Sequence, residues 1–177
     1  MYFLQNSESN NNLLFIFIIL VIISQRLAEL AIAKRNEKWL LSKGAVESGK
    51  GHYIYIVMLH TFFIISLISE YLFKSRHNDL NIINYLFLVF LIILEAGRIW
   101  VLKSLGRYWN TKILRIPDTA LVDKGPYKYL KHPNYVIVVC EILIIPLIFN
   151  LYYTAVVFTI LNAVMLTVRI RIENKVL

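Results

Sequence analysis

Apolar residues in this chain run in stretches too long for the core of a soluble domain. One begins at Leu13 as LLFIFIILVII, and others open near Tyr53, Ile82, Tyr135 and Leu151. A helix needs about 20 mostly apolar residues to cross the roughly 30 Å hydrocarbon layer of a bilayer. In that layer no water can satisfy a free backbone amide, so the chain must close its own hydrogen bonds. The apolar share is 58%, against about 45–50% in soluble domains. The expected fold is all-α: a polytopic membrane protein of about five transmembrane helices with a C-terminal helical hairpin. Residues 1–177 form a single membrane domain, with three N-terminal spans in 13–102 and a catalytic region with the last two spans in 103–177. The single cysteine, Cys140, lies inside an apolar run, which excludes an intrachain disulfide and any multi-cysteine metal site. No metal is expected.

The first span is predicted from Leu13 to Ala33, the second from Tyr53 to Phe73 with Glu70 near the interface, and the third from Ile82 to Leu102. A cleaved leader is not expected, because Glu8 and asparagines stand where a positively charged segment should be. Tyr135–Phe149 and Leu151–Val168 are separated only by Asn150. One continuous helix over both would measure roughly 50 Å, far more than a bilayer, so a hairpin turning near Pro146–Asn150 is predicted. Asparagine tolerates the left-handed backbone that such a turn requires.

Lysine and arginine counts in short loops set orientation. Arg26, Lys34, Arg35, Lys38, Lys43 and Lys50 follow the first span; Lys103, Arg107, Lys112, Arg115, Lys124, Lys128 and Lys131 follow the third; Arg169, Arg171 and Lys175 close the chain. The opposite side holds only Lys74 and Arg76. This split puts the N-terminus outside and the C-terminus in the cytoplasm, and it requires an odd number of spans. The net charge of +8 then serves topology and anionic headgroups. Nucleic acid is not expected as a partner, since no nucleic-acid-binding motif accompanies the charge.

The unusual polar residues gather on the cytoplasmic side. The segment after the third span contains Gly125-Pro-Tyr-Lys-Tyr-Leu-Lys-His-Pro-Asn-Tyr135, and the tail reads Arg169-Ile-Arg-Ile-Glu173. A hairpin returns the end of the fifth span to the level where the fourth begins, so His132–Tyr135 and Arg169–Glu173 are predicted neighbours. Pro133 suits the first turn of a helix, whose free N–H groups receive a carboxylate. Aromatic faces and carboxylates favour a cation such as a sulfonium.

Through Gly125, Tyr127, Lys131, His132, Pro133 and Tyr135, followed by Arg169 and Glu173, the chain resembles the isoprenylcysteine carboxyl methyltransferase family. The resemblance covers roughly the C-terminal 80 residues, and the front half matches only in span number and charge layout. It looks closest to a bacterial branch similar to methyltransferases that act on alkylpyrones. The resemblance implies an enzyme of the plasma membrane that binds S-adenosylmethionine at the cytoplasmic face and methylates an oxygen of a small lipophilic substrate arriving from the bilayer. That oxygen would be a carboxylate, as in a prenylcysteine, or an enol or hydroxyl, as in an alkylpyrone. Tyr127, Lys131, His132, Pro133, Asn134, Tyr135 and Glu173 would bind the cofactor, and Arg169 would sit near the acceptor oxygen. Lys131 stands where the family usually has arginine, and Asn174 follows Glu173 where a second glutamate is common.

Other polar residues admit plainer readings. Glu141, inside the fourth span, is either catalytic or a structural partner of Arg98. Glu95, three residues from Arg98 on one helix face, is the alternative partner for that arginine. Asn162 is read as interhelical hydrogen-bond glue, with ligand contact as the alternative, and Tyr152, Tyr153 and Trp100 as interfacial aromatics. The Arg26–Glu29 pair and Asn36–Trp39 are read as solvated charge, with help in closing the cofactor pocket as the alternative. His52, His60 and His77 have no setting that marks them. Two rival functions stay open: a membrane reductase of the sterol-reductase type using NADPH, which also carries His-Pro-Asn-Tyr before a late hairpin, and a non-enzymatic accessory protein. Oligomeric state is not legible.

Overall fold

The computed structural model describes residues 2–74 and 80–176, with side chains from Ser9 onward. Arg76, counted with the outer charges, and His77 lie outside the described residues, as does the side chain of Glu8. The helices are α1 (Tyr2–Ser42), α2 (Tyr53–Phe73), α3 (Ile82–Leu105), α4 (Pro133–Ile148) and α5 (Tyr152–Glu173), with strands β1 (Val46–Ser48) and β2 (Ile113–Arg115) pairing antiparallel between them. Four helices are long and apolar enough to cross a membrane, and α4 is shorter at 16 residues. The chain is an all-α polytopic membrane protein.

The first helix departs from its expected bounds. It runs unbroken to Ser42, beyond the predicted end at Ala33, because no glycine or proline interrupts it before Gly44, whose φ of +82° ends it. Its inward stripe is Phe15, Ile18, Ile19 and Ile22, the spacing of one helix face. Leu13, Ile16, Phe17 and Leu20 point outward and, in this membrane reading, meet lipid. α4 is the central helix. Ile137, Val138, Ile142, Ile144, Ile145 and Ile148 are all buried, and α4 packs against both α3 and α5. Its remaining face, with Val136, Val139 and Leu143, is exposed.

Two ends of the bundle are tied separately. At one end, Asn81 caps α3 by accepting from the Ile83 and Asn84 amides at 2.9 and 3.3 Å. Asn84 then donates to the Leu147 carbonyl and to Asn150 Oδ1, both at 3.1 Å. Lys74 Nζ reaches the Asn150 carbonyl at 3.2 Å, and Glu70 accepts from the Tyr153 and Thr154 amides at 3.1 and 2.7 Å. A carboxylate at the start of α5 is where the helix dipole favours it. The α2–α3 and α4–α5 connections therefore share one level, with Asn150 in the left-handed conformation (φ +56°) as predicted for the hairpin.

At the other end lie the β1–β2 ribbon, the turn at Gly125–Lys128 and the start of α4. Gly125 has φ +57°, and a Cβ placed there would clash with Ser104 Oγ and stand 3.0 Å from Trp100 Nε1. Gly125→Ala should therefore combine backbone strain with overpacking, lowering stability by about 1–3 kcal/mol. Thermal unfolding in detergent checks this; an unchanged midpoint would show that the turn is free to shift.

Candidate active site

The hairpin carries out the juxtaposition expected of it. The Tyr135 hydroxyl, one turn into α4, donates to Glu173 Oε2 at the end of α5 at 2.6 Å. Arg169 Nε donates to the same hydroxyl oxygen at 2.7 Å, and its Nη2 donates to the Thr111 carbonyl at 2.8 Å. His132 stacks on Tyr135 with ring centres 5.0 Å apart, and its Nδ1 is 3.6 Å from Glu173 Oε2, too long for a hydrogen bond. Lys131 Nζ donates to Asn174 Oδ1 at 2.6 Å. Pro133 is buried at the first position of α4.

Tyr127, Lys131, His132, Asn134, Tyr135, Arg169 and Glu173 border a cavity of about 420 Å³, and Pro133 stands outside its lining. Small-molecule sites typically measure roughly 300–1,000 Å³. The far wall comes from the segment between Tyr108 and Asp123, β2 included. Burial, and then the Glu173 carboxylate, pushes the Tyr127 hydroxyl above its ordinary value, so it stays protonated. Burial, outweighing Glu173, holds His132 below the usual histidine value, with Lys131 and Arg169 acting the same way. A neutral imidazole is then the resting form at pH 7. His132 Nε2 and Asn134 Oδ1 are buried without a hydrogen-bond partner among the described residues, and both residues line this cavity.

A second, inner cavity of about 90 Å³ shares Trp109, Asn110, Asn134, Tyr135 and Arg169 with the first and extends toward α1, α2 and α5. Its apolar lining includes Ile56, Leu59, Met165 and Leu166, and its polar lining includes Arg26, His60 and Asn162. Asn162 thus faces a cavity; the bonds between helices come instead from pairs such as Ser66 with Thr154 at 2.8 Å.

Several plain readings are corrected here. The helical extension of α1 is not merely solvated. Asn36 is buried and donates to the Gly106 and Trp109 carbonyls at 3.1 and 2.8 Å, while Leu40 lines the large cavity. Asn110 Nδ2 donates to the Ala33 carbonyl at 3.0 Å, and Lys112 Nζ donates to Glu37 at 2.6 Å. That hydrogen bond raises Lys112 above its usual value. The cavity's far wall is therefore stitched to a helix whose overlength the hydropathy pattern had hidden. The Asn36–Trp39 stretch was the available signal, but nothing local distinguishes a docked polar helix end from a wet one.

Nor is the Arg26–Glu29 pair solvated, and Arg98 does not pair with Glu95. Arg98 Nη1 donates to Glu29 Oε1 at 2.9 Å, Arg98 Nε to Glu141 Oε1 at 3.0 Å, and Arg98 Nη2 to Glu141 Oε2. Arg26 Nη1 completes the group with Glu29 Oε2 at 2.9 Å. Two cations and two anions from α1, α3 and α4 neutralise one another inside the bundle. Glu141 is placed in this cluster, and it borders neither of the two cavities described above.

The model of the isoprenylcysteine carboxyl methyltransferase (ICMT) family matches residues 86–177, from within α3 to the last residue. The chain belongs to the isoprenylcysteine carboxyl methyltransferase family. The ICMT match spans every residue of the Tyr127–Tyr135 and Arg169–Glu173 constellation. The uncharacterized protein YpbQ of Bacillus subtilis (strain 168) is 46% identical over 164 residues, covering 93% of this chain and 96% of the relative. An uncharacterized protein of Haemophilus influenzae (strain ATCC 51907 / DSM 11121 / KW20 / Rd) is 29% identical over 154 residues, covering 86% of this chain and 88% of its own length. No solved structure matches significantly. This ICMT member is thus a multi-pass membrane protein of a methyltransferase family, with relatives that extend over its N-terminal helices as well.

Proposed function

We propose that this protein transfers a methyl group from S-adenosylmethionine to an oxygen, carboxylate or enol/hydroxyl, of a small lipophilic substrate drawn from the bilayer. The observation that carries the reading is the sharing of one wall, Asn134, Tyr135 and Arg169 among it, by a large cavity bordered by Lys131, His132 and Glu173 and a smaller one that reaches Ile56, Leu59, Met165 and Leu166 between the helices. A charged donor on one side and a lipid-soluble acceptor on the other would meet at that wall.

The residues present fit the donor. Tyr127, Tyr135 and Trp109 offer aromatic faces to a cation. Glu173 supplies a carboxylate, and His132 Nε2 and Asn134 Oδ1 supply buried polar atoms that lack a partner among the described residues. Tyr127, Lys131, His132, Pro133, Asn134, Tyr135 and Glu173 would hold it, with the start of α4 and Lys131 suited to its amino-acid carboxylate. When bound, S-adenosylmethionine supplies an electrophilic methyl group on a sulfonium.

The protein's own part is positioning. Tyr135 is gripped from two sides, by Arg169 and by Glu173, which fixes the wall between the cavities. Alignment of reacting atoms and exclusion of water are the main effects available to such a site. Arg169, which borders both cavities, would steer an oxygen bearing negative charge. The charge distribution supports a plasma-membrane orientation with the site at the cytoplasmic face and the N-terminus outside.

Ligand-dependent thermal unfolding in detergent tests the reading. S-adenosylhomocysteine at about 100 times its Kd should stabilise the protein by about 2.7 kcal/mol, NADPH should not, and Glu173→Ala should abolish the shift. Stabilisation by NADPH alone would overturn the proposal in favour of a reductase.

A further inference from the structure

His60 sits two turns into α2, about 10 Å along the helix from Tyr53 at 1.5 Å per residue. It borders the inner cavity. Its Nδ1 lies 2.9 Å from the Ile56 carbonyl oxygen. A carbonyl oxygen only accepts, so Nδ1 carries the hydrogen and the neutral ring presents a lone pair at Nε2. That Nε2 is buried with no hydrogen-bond partner among the described residues. An orphaned acceptor in such a place is unfavourable, and the cost is relieved when a ligand brings a donor.

The inner cavity therefore asks for a ligand that is apolar along most of its length and carries a hydrogen-bond donor at its head. A hydroxyl satisfies Nε2. A carboxylate presents lone pairs to a lone pair and does not.

We propose that His60 is a catalytic residue whose Nε2 accepts the proton of a hydroxyl-bearing acceptor, an inference that rests on the methyl-transfer reading above. The O–H bond breaks with its proton passing to Nε2, the C–O bond forms, and the donor's C–S bond breaks with its electron pair staying on sulfur. The sulfonium charge is thereby discharged, and the proton leaves His60 for water as the methyl ether departs. Arg26 and Glu29 from α1 and Arg98 from α3 act electrostatically on the ring, while Glu95 and Glu141 border the small void on its other side and Arg169 faces it across the cavity. Arg26 and Arg98 oppose a positive ring, and Glu29, bonded to both, favours it with the smallest effect of the three, so the imidazolium is transient and gives up its proton readily.

The test compares dodecylphenol with lauric acid as acceptors for the full chain in detergent, using S-adenosylmethionine labelled in its methyl group, for wild type and His60→Gln. S-adenosylhomocysteine binding is measured separately by equilibrium dialysis. The expected result is transfer to the phenol and not to the carboxylic acid, with kcat on the phenol at pH 7 reduced about 100-fold or more in His60→Gln. The deficit should shrink as pH approaches about 10, where a phenol ionises unaided. S-adenosylhomocysteine binding should be unchanged in the variant. Three outcomes overturn the role of His60: transfer to the carboxylic acid in preference, no transfer to the phenol by a wild-type protein that binds S-adenosylhomocysteine, or a full phenol rate in His60→Gln. Should the variant fail to fold, the wild-type choice between the two acceptors still decides. Failure of the wild type to bind S-adenosylhomocysteine would instead strike the methyl-transfer reading itself.

Discussion

Arg98→Met is expected to destabilise the protein by about 3–5 kcal/mol, the usual consequence of removing one partner from a buried ion pair. Arg98 is 2% exposed and holds Glu29 and Glu141 at once. Without it, two carboxylates share the bundle interior with only Arg26, whose contact to Glu141 is 3.4 Å. The thermal midpoint in detergent should fall by on the order of 10 °C for a chain of this size. Removing Glu141 as well, in Arg98→Met with Glu141→Leu, leaves Arg26 and Glu29 as a matched pair 2.9 Å apart and should recover most of the loss. This follows because a well-packed apolar replacement for an entire buried pair is often neutral. A double variant less stable than the single would show that the cluster does more than neutralise itself.

Arg169→Ala should reduce methyl transfer by about 100- to 1,000-fold, the loss typical when an oriented donor at a reacting oxygen is removed. Its guanidinium makes two bonds in different directions, Nε to the Tyr135 hydroxyl and Nη2 to the Thr111 carbonyl. The first locks the wall between the cavities; the second ties α5 to the segment that closes the large one. Lysine cannot make both bonds from one ammonium, so Arg169→Lys should rescue little. Steady-state kinetics with labelled donor, beside S-adenosylhomocysteine binding, gives the check. Wild-type turnover in Arg169→Ala would refute the assignment, and loss of binding in equal proportion would move its role to the cofactor.

The bounds of α2 were legible to the residue, because Tyr53–Phe73 is an apolar run with polar sequence on both sides. The hairpin was legible for a different reason. The 16-residue α4 and the 22-residue α5 are together too long for one bilayer crossing, and Asn150 offers a left-handed turn. That parity argument placed Tyr135 beside Glu173 without any contact being known. The end of α1 was not legible, because helical structure persists wherever nothing breaks it, while hydropathy reports only where lipid stops. The roles of Asn36 and Asn110 depended on that unseen extension. His60 was equally hidden: its sequence neighbours are ordinary span residues, and only its depth beside the inner cavity sets it apart from His52.

Sequence alone determined that this chain crosses a membrane, where its helices begin and end to within a turn or two, α1 excepted, and which polar segments share a level. Those properties are sums over local composition and charge. Tertiary structure alone decided which partners meet inside the bundle. The rotation of each helix about its own axis, and so whether Arg98 faces Glu95 or Glu141, is set by how neighbouring helices pack and leaves little trace in any single stretch of residues.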